Sequence, residues 1–174
     1  MIRNLLTISG LALICAVVGA QSPPQLSVLD QNRLLQRNRE LLRELVGRSL
    51  ELAKSTDPLA KLGSCQPIVA KLTDEIRIAS EANDLPRVIE LGKHLDKLLL
   101  DGVTPNVQRA RGRITRGSQD ERKFIEVRDQ ILQSVAPIES AIPANSRSGQ
   151  GRELSELRQL LQDAQNQIRK ASGF

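Results

Sequence analysis

The sequence predicts an all-α protein: an antiparallel bundle of five to six helices behind a cleavable signal peptide. Three observations lead there. After residue 27 the apolar side chains recur at steps of three and four, the period of a helix with one buried face, with little of the alternation that marks a strand. Capping residues and prolines divide that pattern into lengths suited to helices. The chain of 174 residues contains two Phe and neither Trp nor Tyr, so Leu, Ile, Val and Ala must fill the core. Aliphatic residues of this kind suit helix packing, and the lack of aromatic faces argues against sugar platforms and base-stacking sites.

Met1-Ile2-Arg3-Asn4 leads into an apolar run from Leu5 to Val18 that closes on Val18-Gly19-Ala20. A short charged start, an apolar core and small residues at its end form a secretory signal peptide over residues 1–20, with cleavage before Gln21. A membrane anchor fits less well, because Thr7, Ser9, Gly10 and Gly19 dilute a run already shorter than the roughly 20 residues of a spanning helix. A lipoprotein leader fits less well too, because Cys15 follows Leu13 and Ile14 rather than small residues. The expectation is an exported protein, periplasmic or extracellular, with no stable membrane span after cleavage. Cleavage removes Arg3 and no acid, leaving 24 basic against 20 acidic side chains.

Residues 21–27 form an extended start, and residues 28–135 the helical bundle. The first helix runs from Val28 to Lys54, opened by Ser27 with Asp30 three residues on, a capping-box spacing. Leu34, Leu35, Leu41, Leu42, Leu45, Leu52 and Ala53 make its apolar face, and Glu44 and Arg48 are spaced to pair. Ser55-Thr56-Asp57-Pro58 stops it and starts a second helix, whose stripe is Leu62, Cys65, Val69, Leu72, Ile76 and Ala79. Pro67 lies within that stripe, and the unbroken phase favours a kink over a break near Gly63-Ser64.

Asn83-Asp84-Leu85-Pro86 turns the chain into a third helix ending at Asp101-Gly102, paired with the second as an antiparallel hairpin. Thr104-Pro105 opens a fourth through Val107, Ala110 and Ile114, and Ser118 with Glu121 caps a fifth lined by Phe124, Val127, Ile131 and Val135. Residues 136–151 read as a flexible loop on composition. Residues 152–174 carry a last helix, packed on the bundle or on a partner, with Leu154, Leu157, Leu161, Ala164, Ile168 and Ala171 on one face.

The inventory for chemistry is thin. Once Cys15 is removed, Cys65 is the one cysteine left, so no disulfide can form within the chain. It either packs as a small apolar residue or forms an intermolecular disulfide. His94 is the single histidine, flanked by Lys93 and Lys97; with Cys65 it cannot supply the four ligands of a structural zinc site. No glycine-rich phosphate loop, Gly-x-Ser-x-Gly elbow or His-Glu-x-x-His helix occurs. Asp74-Glu75 and Asp120-Glu121 are adjacent acids, which point apart on a helix and read as solvated charge or caps. The reading is therefore no enzyme, no cofactor and no metal.

One charge feature stands out: Arg109, Arg111, Arg113 and Arg116, with no acid between Val107 and Ser118. Arg109, Arg113 and Arg116 are expected on one helix face. Such a face either contacts an anion or an acidic partner through paired guanidinium hydrogen bonds, or is a solvated surface balanced by acids from neighbouring helices.

Leu52-Ala53 to Asp57-Pro58, then Cys65, Leu72 and Glu75-Ile76, then Glu90 to Leu95 and Gly102-Val103 together resemble a pattern in exported all-helical bacterial proteins of unknown function. Some of those accompany extracytoplasmic sigma-factor or anti-sigma systems. The resemblance spans about residues 50–103, transfers no site residues and implies a bacterial envelope setting.

These readings converge on a non-enzymatic exported helical protein, a protein-interaction or structural component of the envelope. Its expected partners are another protein or a second copy, with an anionic envelope polymer as a further option and nucleic acid excluded by export. The alternative is a periplasmic chaperone or envelope-stress accessory protein. Expressed in a bacterium with its leader, the protein should accumulate outside the cytoplasm with Gln21 as its first residue by terminal sequencing; recovery of cytoplasmic chain starting at Met1 would reject the leader.

Overall fold

The computed structural model of the chain describes residues 27–142 and 150–173, apart from the side chains of Asp30 and Ser49. The expected leader, its cleavage site, Cys15, most of the extended start and residues 143–149 of the expected loop lie outside the described residues. Among the described residues every regular element is a helix. None is long and apolar enough to cross a membrane. The chain divides into two compact units, residues 1–38 and 39–174. Of the first, the described part is Ser27 and the opening turns of helix α1 (Val28–Lys54), on which Val28, Leu29 and Leu35 are exposed.

In the second unit, helix α2 (Pro58–Glu81) is the most deeply set element. Asp57 starts it by accepting from the backbone N–H groups of Leu59 at 3.4 Å and Ala60 at 2.9 Å, while Pro58 occupies a first-turn position whose N–H needs no helical partner. The helix then runs unbroken through Pro67. All six seam residues, Leu62, Cys65, Val69, Leu72, Ile76 and Ala79, are buried, and α2 packs against the helices that follow it between residues 85 and 141.

After α2, Asn83 adopts the left-handed conformation at φ 55°, and Asp84 caps helix α3 (Leu85–Lys97) through the N–H of Arg87. The sequence expectation of an end at Asp101-Gly102 and a fresh start at Thr104-Pro105 is corrected here. The chain stays helical from α3 through a π-helical segment, Leu98–Val103, into α4 (Thr104–Arg111). Pro105 supplies the reason: in a regular α-helix its ring would press on the carbonyl of Asp101, and a wider turn relieves that crowding. Side chains add hydrogen bonds to backbone oxygens at the junction. Thr104 Oγ1 donates to the Leu99 carbonyl at 2.9 Å and Asn106 Nδ2 to the Gly102 carbonyl at 2.6 Å.

Contacts fix the direction of two pairings. Glu75 meets Arg87, and the Cys65 sulfur lies 3.7 Å from where a Cβ on Gly102 would stand, so positions fall along α2 as they rise along α3. Helix α7 (Gly151–Ala171) instead runs beside α3 and α4 in the same sense: Gly92 packs on Leu157, and Gly173 lies beside Arg111. Helix α5 (Gln119–Val135) begins at Ser118, whose hydroxyl accepts from Glu121 N–H at 3.2 Å, while the Glu121 carboxylate accepts from Gly117 N–H at 2.6 Å. Gly117 is held at φ 76°, a conformation that glycine adopts without strain.

The expected flexible loop over 136–151 is corrected over its described residues 136–142. It opens with a single helical turn, α6 (Ile138–Ala141), anchored by the buried side chains of Ile138 and Ile142. Ser80 on α2 donates to the carbonyl of Ala141 and Arg158 on α7 to that of Ile142, so this turn is fastened on both sides.

Two glycines separate propensity from packing. A Cβ at Gly63 meets nothing within 4 Å, whereas one at Gly92 would stand 2.4 Å from a methyl of the buried Leu157. Urea unfolding should show Gly63→Ala more stable than the parent by about 0.5–1 kcal/mol and Gly92→Val less stable by about 2 kcal/mol or more; equal effects at the two positions would contradict the packing described.

Candidate functional site

One group of exposed cations lies where the ends of α4 and α7 meet in the second unit. Helix α4 finishes with Arg109 and Arg111, α7 finishes with Arg169 and Lys170, and the two ends meet where Gly173 lies beside Arg111. Cations in the last turn of a helix also complement the partial negative charge of its terminal carbonyls. Arg111 is drawn inward and pairs with Glu121 at 3.8 Å. Arg109, Arg113, Arg116 and Lys170 are exposed and form no ion pair among the described residues, and Arg169 reaches only the Asn166 side-chain oxygen at 3.4 Å. This surface is an open cluster of donors able to grip carboxylates or phosphates.

Its construction differs from the sequence expectation. Arg109, Arg113 and Arg116 do not share a helix face, because α4 ends at Arg111 and the next residues form a turn in which Arg113 and Ile114 both donate backbone N–H groups to the Ala110 carbonyl. Ile114, counted toward the helix by its spacing, is half-buried beneath that turn. Arg113 and Arg116 therefore project from a loop. Arg169 and Lys170 were missed by sequence reasoning, although basic residues just before Ser172-Gly173 carried the signal of a helix end.

Cys65 and His94 are not brought together in a usable way. Cys65 is fully buried on the α2 seam and burial pushes its thiol up to about 11, while His94 is exposed on α3. An intermolecular disulfide through Cys65 is incompatible with this packing, since no partner sulfur can reach it. No cluster of three or more His, Cys, Asp or Glu able to hold a metal occurs among the described residues.

Two further surfaces stand out. A cleft of about 350 Å³ between α2, α5 and α6 is lined by Ala70, Thr73, Asp74, Arg77, Ser134 and Ala141, among others. Its polar groups are already engaged: Thr73 donates to the Val69 carbonyl, Ser134 to that of Gln130, and Arg77 binds Asp74 at 2.7 Å and Glu81 at 2.5 Å. No activated nucleophile faces it.

The second is on α1. The apolar face expected there is covered only in part: within residues 39–54, Leu41 is buried and Leu45 and Leu52 are half-buried, but Leu42 remains 61% exposed, and Val46 and Leu50, outside that expectation, are 58% and 57% exposed. Glu44 and Arg48 pair at 3.3 Å, as their spacing implies.

Near the π-helical segment, Asp96 has a buried carboxylate oxygen without a hydrogen-bond partner, and burial, then the charge of Asp101, raises its pKa. No family model, curated protein or solved structure matches this chain.

The neutral Cys65 thiol gives a signed pH effect. Its pKa is higher folded than unfolded, so its contribution is fully present below pH 9.0 and lost as pH rises to about 11. A shift of this size corresponds to roughly 2–3 kcal/mol. Denaturation between those limits should show that alkaline loss in the parent and not in Cys65→Ala; matching pH slopes would mean the thiol is not desolvated.

Proposed function

We propose that this is a non-enzymatic, exported helical protein of the bacterial envelope that works by binding an acidic partner protein at its basic end. The observation that carries the proposal is the meeting of the α4 and α7 termini, where Arg109, Arg113, Arg116 and Lys170 stand exposed and form no ion pair among the described residues. Guanidinium groups bind carboxylates with two parallel hydrogen bonds, which suits this end to an acidic partner. Interaction through such a surface is salt-sensitive and fast, with charge setting specificity and encounter rate. Export rests on the leader pattern of residues 1–20, and the envelope setting on that leader together with the resemblance across residues 50–103. The cleft hydroxyls of Thr73 and Ser134 already donate to backbone carbonyls.

A photocrosslinking residue at Arg113 in the producing cell should trap one acidic envelope protein, at a yield that falls several-fold in Arg109→Glu/Arg116→Glu and at high salt. The same probe at exposed Glu90, on a different helix, should not trap it. Adducts that are identical from both positions, or insensitive to charge reversal, would overturn the reading.

A further inference from the structure

We propose that the exposed ridge of α1 formed by Leu42, Val46 and Leu50 lies on an anionic lipid surface. This rests on observations separate from the basic end. The ridge residues recur every four positions, so they line one side of the helix, while Leu41, Leu45 and Leu52 turn another side inward. The charges around the ridge are sorted. Arg39 and Arg43 stand three residues before Leu42 and Val46, and Lys54 four after Leu50, so each cation borders the apolar side chains. All three are exposed and without ion pairs among the described residues. Glu40, Glu44 and Glu51 lie one or two positions from the ridge residues, which places them away from it.

An aliphatic strip with cations along its border and acids facing away matches a membrane interface, where apolar groups enter the acyl boundary and the cations meet lipid phosphate. The alternatives fit less well. Exposed cations beside the apolar side chains suit an anionic surface rather than a neutral apolar partner. A second copy laid antiparallel on the ridge would also set one row of cations against the other.

The absence of tryptophan from the chain supplies the test. In the full chain, Val46→Trp and, as a comparison on the opposite side, Glu44→Trp each introduce a single fluorophore. With phosphatidylglycerol-rich vesicles carrying brominated acyl chains, the fluorophore at position 46 should shift to the blue and lose most of its intensity, and the one at 44 should change little. Adding Arg39→Glu and Arg43→Glu should weaken partitioning at least tenfold while the helical circular dichroism is retained, and phosphatidylcholine vesicles should give no quenching. Binding by any other part of the chain carries both fluorophores to the vesicle without burying either. The proposal is overturned if position 46 is not quenched, if 44 is quenched equally, or if phosphatidylcholine serves as well. A blue shift that grows with protein concentration in the absence of lipid overturns it in favour of a second copy.

Discussion

The structure depends on the burial of one aliphatic seam. Leu62, Cys65, Val69, Leu72, Ile76 and Ala79 on α2 are removed from water by α3, the π-helical segment, α4, α5 and α6. Burying side chains of this kind contributes on the order of 1.5–3 kcal/mol for each of the larger ones before chain entropy is counted. The seam also admits one charge. Glu75 is almost fully buried and reaches Lys71 at 3.4 Å and Arg87 at 3.2 Å, so the hairpin between α2 and α3 is registered by an ion pair as well as by packing. Removing Arg87 would leave that buried carboxylate with Lys71 as its one remaining ion-pair partner, whereas replacing all three groups by apolar ones would remove the charge altogether.

Much of this was legible from residue types and their spacing. Asp57-Pro58, Asp84-Leu85-Pro86 and Ser118 with Glu121 place three helix starts, because a side-chain acceptor next to free backbone N–H groups is a local property. The α2 stripe was readable for a similar reason: six apolar residues in phase need no knowledge of what covers them.

The misreadings have a common physical cause. A proline is ambiguous in isolation, and Pro105 looks like a helix start until the π turn that accommodates it is seen. Hydrophobic periodicity does not reveal how much of a face is covered, which is why the leucines of α1 appeared as one stripe although Leu41 is buried and Leu42 is not. The single turn of α6 is too short for periodicity to register, and it is held by Ser80 and Arg158 from elsewhere in the chain. At the basic end the cations were legible, but the end of α4 at Arg111 and the approach of α7 were tertiary facts.

Outside the seam two differently built regions are exposed: a polar cluster at the helix ends and an apolar ridge on the lightly packed α1, whose described residues include a single buried one, Leu41. Native-state hydrogen exchange resolved by residue tests that arrangement most directly. The slowest amides should lie in α2 between Leu62 and Ile76 and in the α3 residues facing it, with α1 opening at much lower free energy. Protection in α1 equal to that of α2, or α2 exchanging among the fastest segments, would contradict an architecture built on the α2 seam.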